Sequence, residues 1–188
     1  MNSLYPIFLK TQQLEILIVG GGNVALEKLE FLWKSSPDAN ITMIAPFFRE
    51  VTLDFVNGKD IQLIEEQYQK QYLQNKHIVI ATTNQTKVNQ QVYEDCRAIN
   101  ILCNVADNPP LCDFYMGSIV TKGNLKIGIS TNGKSPSLAK RLRQWLEAVL
   151  PEELDELLNY LQTYRDQLKT DFDGKVKALN KLTKDLIS

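Results

Sequence analysis

A glycine-rich segment and a single aspartate are the parts of this sequence whose residue types and spacing could do chemistry. Residues 20–25 read GGGNVA and fit the pattern G-x-G-x-x-A between an apolar run and a helical pattern. In this pattern Gly20 permits a tight turn, Gly22 lets a pyrophosphate approach the backbone, and Ala25 lets the helix pack closely on the strand. Free N–H groups at the start of the helix face the phosphate charge. The segment therefore predicts a dinucleotide-binding site.

The aspartate is Asp107, which follows an apolar run at 101–105 and precedes two prolines. Ligands of parallel sheets bind outside the carboxyl ends of the strands, so this carboxylate would lie near a bound nicotinamide. It could accept or relay a proton while a hydride leaves to the cofactor. The residues alone also allow the simpler interpretation that Asp107 only shapes a turn. The one histidine, His77, precedes a strand at the opposite edge of the sheet, where a surface role is expected.

The elements that must position these residues alternate between strand and helix. Helical patterns at 23–34 and 87–99 separate apolar runs, and a turn or short helix is expected before the fourth run. Strands are predicted at 14–19, 41–45, 60–65, 77–82 and 101–105. This alternation predicts a parallel, Rossmann-type sheet of the α/β class with right-handed crossovers.

Beyond about residue 110 the pattern changes. Residues 117–120 and 125–130 predict a hairpin around Gly123, and a helix is predicted from Pro136 to Leu150. Two further helices are expected, one from about residue 151 and one after Asp173-Gly174. The first carries an amphipathic stripe formed by Leu154, Leu157, Leu158 and Leu161. A small strand-helix module and a helical tail therefore follow the sheet.

Composition narrows the classes of partner. The formal net charge is -1, so no nucleic acid or anionic membrane is expected as a partner. No apolar run approaches the ~20 residues that cross a bilayer. An odd number of cysteines, Cys96, Cys103 and Cys112, predicts reduced thiols in a cytoplasmic protein. With one histidine in the chain, no metal site is predicted.

The second predicted strand bears on the choice of cofactor. NAD-specific sites carry an acidic residue there to hold the ribose, whereas this chain reads Ile44-Ala45-Pro46-Phe47. Arg49 lies close enough to make NADP a rival. These residues alone leave the choice between NAD and NADP open.

Five segments follow one another at the intervals of a known family. They are residues 4–9 (LYPIFL), the glycine loop at 20–25, Ala81-Thr82, residues 103–114 (CNVADNPPLCDF) and residues 129–139 (ISTNGKSPSLA). Together, residues 4–150 resemble precorrin-2 dehydrogenase, the module that also forms the N-terminal part of sirohaem synthase. The resemblance implies NAD-dependent oxidation of precorrin-2 to sirohydrochlorin by a homodimer joined through the part after the nucleotide domain. In some members the same site goes on to insert ferrous iron, and this chain's residues leave that activity open.

The resemblance also assigns regions and residues. It implies an NAD-binding Rossmann domain at 1–113, a dimerisation module at 114–150 and a C-terminal helical region at 151–188. Asp107 matches the family's catalytic aspartate. The expected cofactor-binding residues are Gly20, Gly22, Asn23, Val24, Pro46, Phe47 and Thr82, in a family that binds NAD without an acidic ribose ligand. The expected substrate-binding residues are Asn104, Lys134 and Ser135.

For several residues the sequence leaves the functional role open. The cationic groups Lys134, Lys140, Arg141 and Arg143 would attract a tetrapyrrole with many carboxylates, yet a solvated helix face explains them equally well. Thr131 matches a serine that is phosphorylated in some sirohaem synthases, which does not establish phosphorylation here. Glu27, Thr83, Asn84 and Gly117 depart from the residues usual in the family and leave the substrate pocket uncertain.

Two other functions fit the same nucleotide domain. One is a non-catalytic, Rossmann-type regulatory protein that senses NAD, and it would have no need of a proton acceptor at Asp107. The other is a protein that binds sirohydrochlorin for metal handling without redox chemistry. Reduction of NAD during turnover separates this second alternative from a dehydrogenase.

Overall fold

The computed structural model describes residue 2 and residues 4–184. By their internal contacts these residues form two compact units, the first ending at Met116 and the second beginning at Gly117. The predicted boundary at 113/114 lies three residues before this division. The hairpin and all later described helices group together, so a further boundary at 150/151 stays a prediction.

The first unit contains one sheet of five parallel strands in the order β3-β2-β1-β4-β5. The strands are β1 (Glu15–Val19), β2 (Asn40–Ile44), β3 (Ile61–Ile64), β4 (Ile78–Ala81) and β5 (Leu102–Val105). Near-continuous aliphatic runs such as EILIV and IVIA form them, as expected for strands buried on both faces. The predicted Rossmann-type α/β class is confirmed.

Helices connect these strands. They are α1 (Asn23–Ser35), α2 (Glu50–Val56) and α3 (Thr86–Ala98), with 3₁₀ turns at Thr11–Gln13, Lys70–Leu73 and Pro109–Leu111. The sequence did not predict α2. It has seven residues and buries only Thr52 and Val56, which is too short for a helical period to stand out.

Alternate residues of β1 separate the core into two halves. Ile16 and Ile18 pack with Leu29 of α1 and Met43 of β2 on one face of the sheet. On the other face, Leu17 and Val19 pack with Val79 of β4 and with Val92 of α3. A strand with helices on both sides must be apolar at every position, because successive side chains point to opposite faces. This explains the uninterrupted apolar run before the glycine loop.

The second unit begins with an antiparallel hairpin of β6 (Ser118–Lys122) and β7 (Leu125–Ile129). Gly123 occupies its turn with φ +52°. The carboxylate of Asp155 accepts hydrogen bonds from the backbone N–H and the side-chain amide of Asn124, each at 2.7 Å. An ion pair between Lys122 and Glu152 adds a second link. The hairpin turn is thereby tied to the start of the following helices.

Three helices complete this unit: α4 (Pro136–Val149), α5 (Leu154–Gln167) and α6 (Phe172–Thr183). The prediction that the last helix follows Asp173-Gly174 was wrong by three residues, since α6 begins at Phe172. Asp171 caps the helix, because its carboxylate accepts from the N–H of Gly174 at 2.9 Å. The stripe from Leu154 to Leu161 is half-buried. No helix in the described part of the chain has the length and apolar character needed to cross a membrane.

Two leucines are expected to differ strongly in how much they contribute to the stability of the fold. Leu17 is fully buried in β1, whereas Leu53 on α2 is 42% exposed. Leu17→Ala should lower the free energy of unfolding by about 3 kcal/mol, because it leaves a cavity between β1 and α3. Leu53→Ala should change it by about 0.5 kcal/mol or less. Urea unfolding of both variants followed by circular dichroism measures this, and similar losses for the two would contradict the packing described.

Candidate functional site

A cleft of about 720 Å³ lies at the carboxyl ends of the parallel strands in the first unit. The loops after β1, β2, β4 and β5 all contribute to its walls. Of the residues expected to bind cofactor or act in catalysis, it is lined by Gly20, Gly22, Asn23, Val24, Pro46, Phe47, Thr82 and Asp107. This volume falls in the range of small-molecule sites, and the position is the one at which open α/β sheets bind ligands.

The three glycines of the loop differ in what surrounds them. Gly20 has φ +133°, and a Cβ there would lie 2.4 Å from Oγ1 of Thr82. A Cβ on Gly21 would lie 2.2 Å from the carbonyl oxygen of Phe47. Around Gly22, by contrast, no described atom lies within 4 Å of that position. The protein itself therefore requires Gly20 and Gly21, whereas Gly22 leaves open space at the cleft.

Thr82 packs against the glycine loop and hydrogen-bonds to the end of β1. Its backbone N–H and its hydroxyl both donate to the carbonyl oxygen of Val19, at 2.8 Å and 2.9 Å. The residue is buried and connects the end of β4 to the end of β1 directly under Gly20. A structural role for Thr82 is therefore visible, and contact with a cofactor stays a prediction.

The segment after β2 packs on the glycine loop. Phe48 is buried and anchors it, whereas Pro46 and Phe47 are exposed at the cleft. The N–H of Arg49 donates to the carbonyl oxygen of Gly21 at 3.4 Å. The sequence did not predict this contact of Gly21, because the motif G-x-G-x-x-A allows any residue at its second position.

Asp107 lies at the end of β5 with a left-handed backbone, φ +59°. The residue is exposed and lines the cleft. Within residues 4–184 its carboxylate makes no hydrogen bond or ion pair. The nearby Asp113 differs, since it accepts from the N–H of Cys103 at 3.0 Å and pairs with Arg97 at 3.1 Å. The carboxylate of Asp107 is therefore available to a ligand.

Cys112 holds the loop that carries Asp107. Its Sγ lies 3.2 Å from the carbonyl oxygen of Val105 and 3.3 Å from that of Asn108, so the thiol can donate to either. Burial raises the pKa of this thiol, which keeps it a protonated donor. The sequence predicted only a reduced thiol here, and the structure shows that Cys112 is free, half-buried and in direct contact with the loop.

Asn104 does not line the cleft. Its side chain is 7% exposed, and its amide donates to the carbonyl oxygen of Phe114 at 2.8 Å. The residue joins β5 to the chain that returns past Cys112. Geometry therefore gives it a structural role, and the expected substrate contact finds no support from its position.

The other two substrate candidates belong to the second unit. Ser135 caps α4, since its Oγ accepts from the N–H of Leu138 at 3.2 Å. Thr131 also serves this turn, because its hydroxyl donates to the carbonyl oxygen of Ser135 at 3.1 Å. Lys134 is exposed, whereas Arg143 is paired with Glu147 at 2.6 Å. Substrate contact by Lys134 or Ser135 stays a prediction.

A hydrogen-bond network around the buried Asp95 was not predicted. The hydroxyl of Tyr68, which lines the cleft, donates to Asp95 of α3 at 3.1 Å. Gln91 donates to the same carboxylate at 3.1 Å, and Lys70 lies 3.7 Å from it. Burial and the charge of Asp95 raise the pKa of Tyr68, so the phenol stays neutral. No sequence signal joins a loop tyrosine to an aspartate 27 positions later.

His77 has a structural role at the amino end of the sheet. Its Nδ1 accepts a hydrogen bond from the N–H of Glu15 at 2.9 Å, joining the starts of β4 and β1. Among the described residues, no group of three or more histidine, cysteine, aspartate or glutamate side chains is placed to hold a metal ion.

Residues 7–118 match the family described as "Putative NAD(P)-binding". This match covers more than half of the chain, so the chain belongs to that family. Its first unit is thus a Rossmann-type domain for a nicotinamide cofactor, in agreement with the cleft and its glycine loop. Residues 122–148 match a second family, described as "Sirohaem biosynthesis protein central".

The chain is also similar in sequence to individual proteins. The chain is 40% identical to the siroheme synthase of Psychrobacter sp. (strain PRwf-1), over 95% of this chain and 39% of that protein. It is 39% identical to the siroheme synthase of Pseudoalteromonas translucida, over 89% of this chain and 35% of that protein. The chain thus spans less than two fifths of these curated relatives. The resemblance seen in the sequence is confirmed.

A solved structure shows the same fold. The precorrin-2 dehydrogenase SirC superposes with a TM-score of 0.79, covering 97% of this chain and 90% of that one. The two sequences are 22% identical. The likeness therefore extends beyond the sheet to the hairpin and the helical tail.

The glycine loop makes a prediction with two distinguishable variants. Gly22→Asp should retain the free energy of unfolding but weaken binding of a nicotinamide dinucleotide by about tenfold or more, because a carboxylate would face the pyrophosphate. Gly21→Ala should instead lower stability, because its Cβ meets the Phe47 carbonyl. Calorimetric titration and urea unfolding separate the two effects. Unchanged affinity in a folded Gly22→Asp variant would refute the site.

Proposed function

We propose that this chain oxidises precorrin-2 to sirohydrochlorin with NAD as the hydride acceptor. The observation that carries the proposal is a free carboxylate, Asp107, in the same cleft as the glycine loop. The names of the relatives and of the structural neighbour supply the substrate. A cytoplasmic location belongs to the proposal as well, in keeping with three free thiols.

The residues present fit a dinucleotide. The first backbone hydrogen bond of α1 runs from the N–H of Leu26 to Gly22, so the N–H groups of Asn23 and Val24 precede the helical ladder. They would hold the pyrophosphate in the space that Gly22 leaves open. Pro46 and Phe47 would contact the adenosine, and Gly20 and Thr82 would form the floor of the site.

The oxidation removes two hydrogens from the substrate. When bound, NAD supplies the acceptor for the one that leaves as hydride. The other leaves as a proton, and the balance is precorrin-2 plus NAD⁺ giving sirohydrochlorin, NADH and H⁺. Asp107 is the proposed proton acceptor, because within the described residues it is the one carboxylate that lines the cleft.

The other aspartates in turns argue against a purely structural Asp107. Asp171 and Asp155 each accept hydrogen bonds from the backbone near a turn or a helix start. An aspartate that shapes a turn is expected to do this. Asp107 makes no such bond within residues 4–184, although its backbone is left-handed. A sensor of NAD would have no use for this carboxylate, so the enzyme is favoured over the regulatory alternative.

The decisive variant is Asp107→Asn. Asparagine keeps the size of the side chain and tolerates the left-handed backbone, but it cannot accept the proton. Turnover of precorrin-2, followed by NADH absorbance, should fall by about 100-fold or more. Folding and NAD affinity should stay within about twofold of the wild type, since the carboxylate supports no other residue. Turnover within a few fold of wild type would reduce Asp107 to a turn residue.

We further propose a homodimer formed through α4. Leu138, Leu142, Trp145 and Val149 are spaced as one helix face and are 51%, 39%, 60% and 51% exposed. Such a contiguous apolar face marks an interaction surface. The stripe from Leu154 to Leu161 is a weaker candidate for a dimer interface, because it is already half-buried within the chain. A second copy is the occupant that the family resemblance implies.

Trp145→Lys tests this surface. Wild-type protein at micromolar concentration should sediment at about twice the 21.4 kDa chain mass. The variant should shift towards the monomer, because a charge would be buried at the centre of the apolar face. Gln144→Lys introduces the same residue at an exposed position away from that face and should leave the dimer unchanged. A monomeric wild type would overturn the proposal.

A further inference from the structure

The loop after β2 presents a cation to the cleft. Arg49 lines the cleft, and its backbone N–H donates to the carbonyl oxygen of Gly21 in the glycine loop at 3.4 Å. Its side chain is exposed. Within residues 4–184 the guanidinium makes no hydrogen bond or ion pair. The backbone thus fixes Arg49 next to the pyrophosphate loop, while its charged group remains available to a ligand.

Among the residues that the structure describes, no carboxylate lines that end of the cleft. Asp107 follows β5, three strand spacings or about 14 Å from β2. Glu50, Glu65 and Glu66 are nearer along the chain, but none of them is among the residues that line the cleft. Glu66 also accepts a hydrogen bond from the hydroxyl of Tyr72. The loop after β2 therefore offers the adenosine ribose a cation and no acid.

A carboxylate after the second strand is the usual means by which Rossmann domains discriminate against NADP. A carboxylate after the second strand holds the ribose 2′-hydroxyl of NAD and repels the 2′-phosphate of NADP. An arginine in that region does the reverse, because its planar guanidinium can bind a phosphate through two N–H groups. Ala45, Pro46 and Phe47 carry no charge. Arg49 is therefore the charged residue of this loop that lines the cleft.

We propose that the cleft accepts NADP as well as NAD, with Arg49 binding the 2′-phosphate. This inference rests on the proposed dinucleotide site and goes beyond it in cofactor specificity. Lys87 is the second cation that lines the cleft, from the first turn of α3 after β4. Its ammonium is a point charge on a flexible stem, so it would raise the potential for every anionic ligand alike. This makes Lys87 a matched control.

The experiment is calorimetric titration with NAD and NADP at one ionic strength. The proteins are the wild type, Arg49→Ala, Lys87→Ala and Gly22→Asp. In the wild type the two dissociation constants should agree within about tenfold. Arg49→Ala should weaken NADP by about tenfold or more and NAD by less than about threefold, because only NADP carries the phosphate. Lys87→Ala should weaken both by the same factor, and Gly22→Asp should weaken both strongly.

Four results would overturn the inference, and they are distinguishable. Binding of NAD without NADP by the wild type would show that something other than a carboxylate excludes the phosphate. Equal losses for both nucleotides in Arg49→Ala, or a selective loss of NADP in Lys87→Ala, would remove Arg49 from the 2′-phosphate. Binding of neither nucleotide would refute the proposed site itself. Since the side chain of Arg49 is exposed, Arg49→Ala should fold as the wild type does.

Discussion

The close packing around the glycine loop is the constraint on which the rest of the site depends. Three strand ends meet there: Thr82 lies against Gly20, and the carbonyl of Phe47 lies against Gly21, each at a distance that leaves no room for a Cβ. The N–H of Gly20 also donates to Ile44 at the end of β2, at 2.8 Å. The first two glycines lie against these strand ends, whereas the third faces open space.

Charge is distributed along the cleft in the order of the strands. Asp107 stands beyond β4 at the end of β5, the glycine loop follows β1 in the middle, and Arg49 follows β2 on the other side. The parts of a nicotinamide dinucleotide follow in the same order: the reacting nicotinamide at one end, the pyrophosphate in the middle and the adenosine ribose at the other end. In the proposed function, strand order therefore sets the order of the subsites, because all carboxyl ends of the parallel sheet face the same way.

The free carboxylate of Asp107 is informative because so many other polar groups of this chain are engaged. Asp113, Asp95, Asp155 and Asp171 each accept hydrogen bonds that hold a loop, a helix or a turn. A thiol, Cys112, holds the Asp107 loop by its backbone carbonyls and leaves the carboxylate out. The loop is therefore kept in place without using the group that it presents, which is the arrangement a reacting residue needs.

Local patterns alone determined the strand-helix alternation, the glycine loop and the position of Asp107 after β5. These features depend on periodicity and on turn chemistry, both of which act over a few residues. The short helix α2, the contact of Gly21 with Phe47 and the pairing of Tyr68 with Asp95 were decided by the tertiary structure. Each depends on atoms that the chain brings together from separate elements or on a burial pattern too short to detect. The same holds for the exposed face of α4, since a sequence shows that a helix has an apolar stripe and only the folded chain shows whether another element covers it.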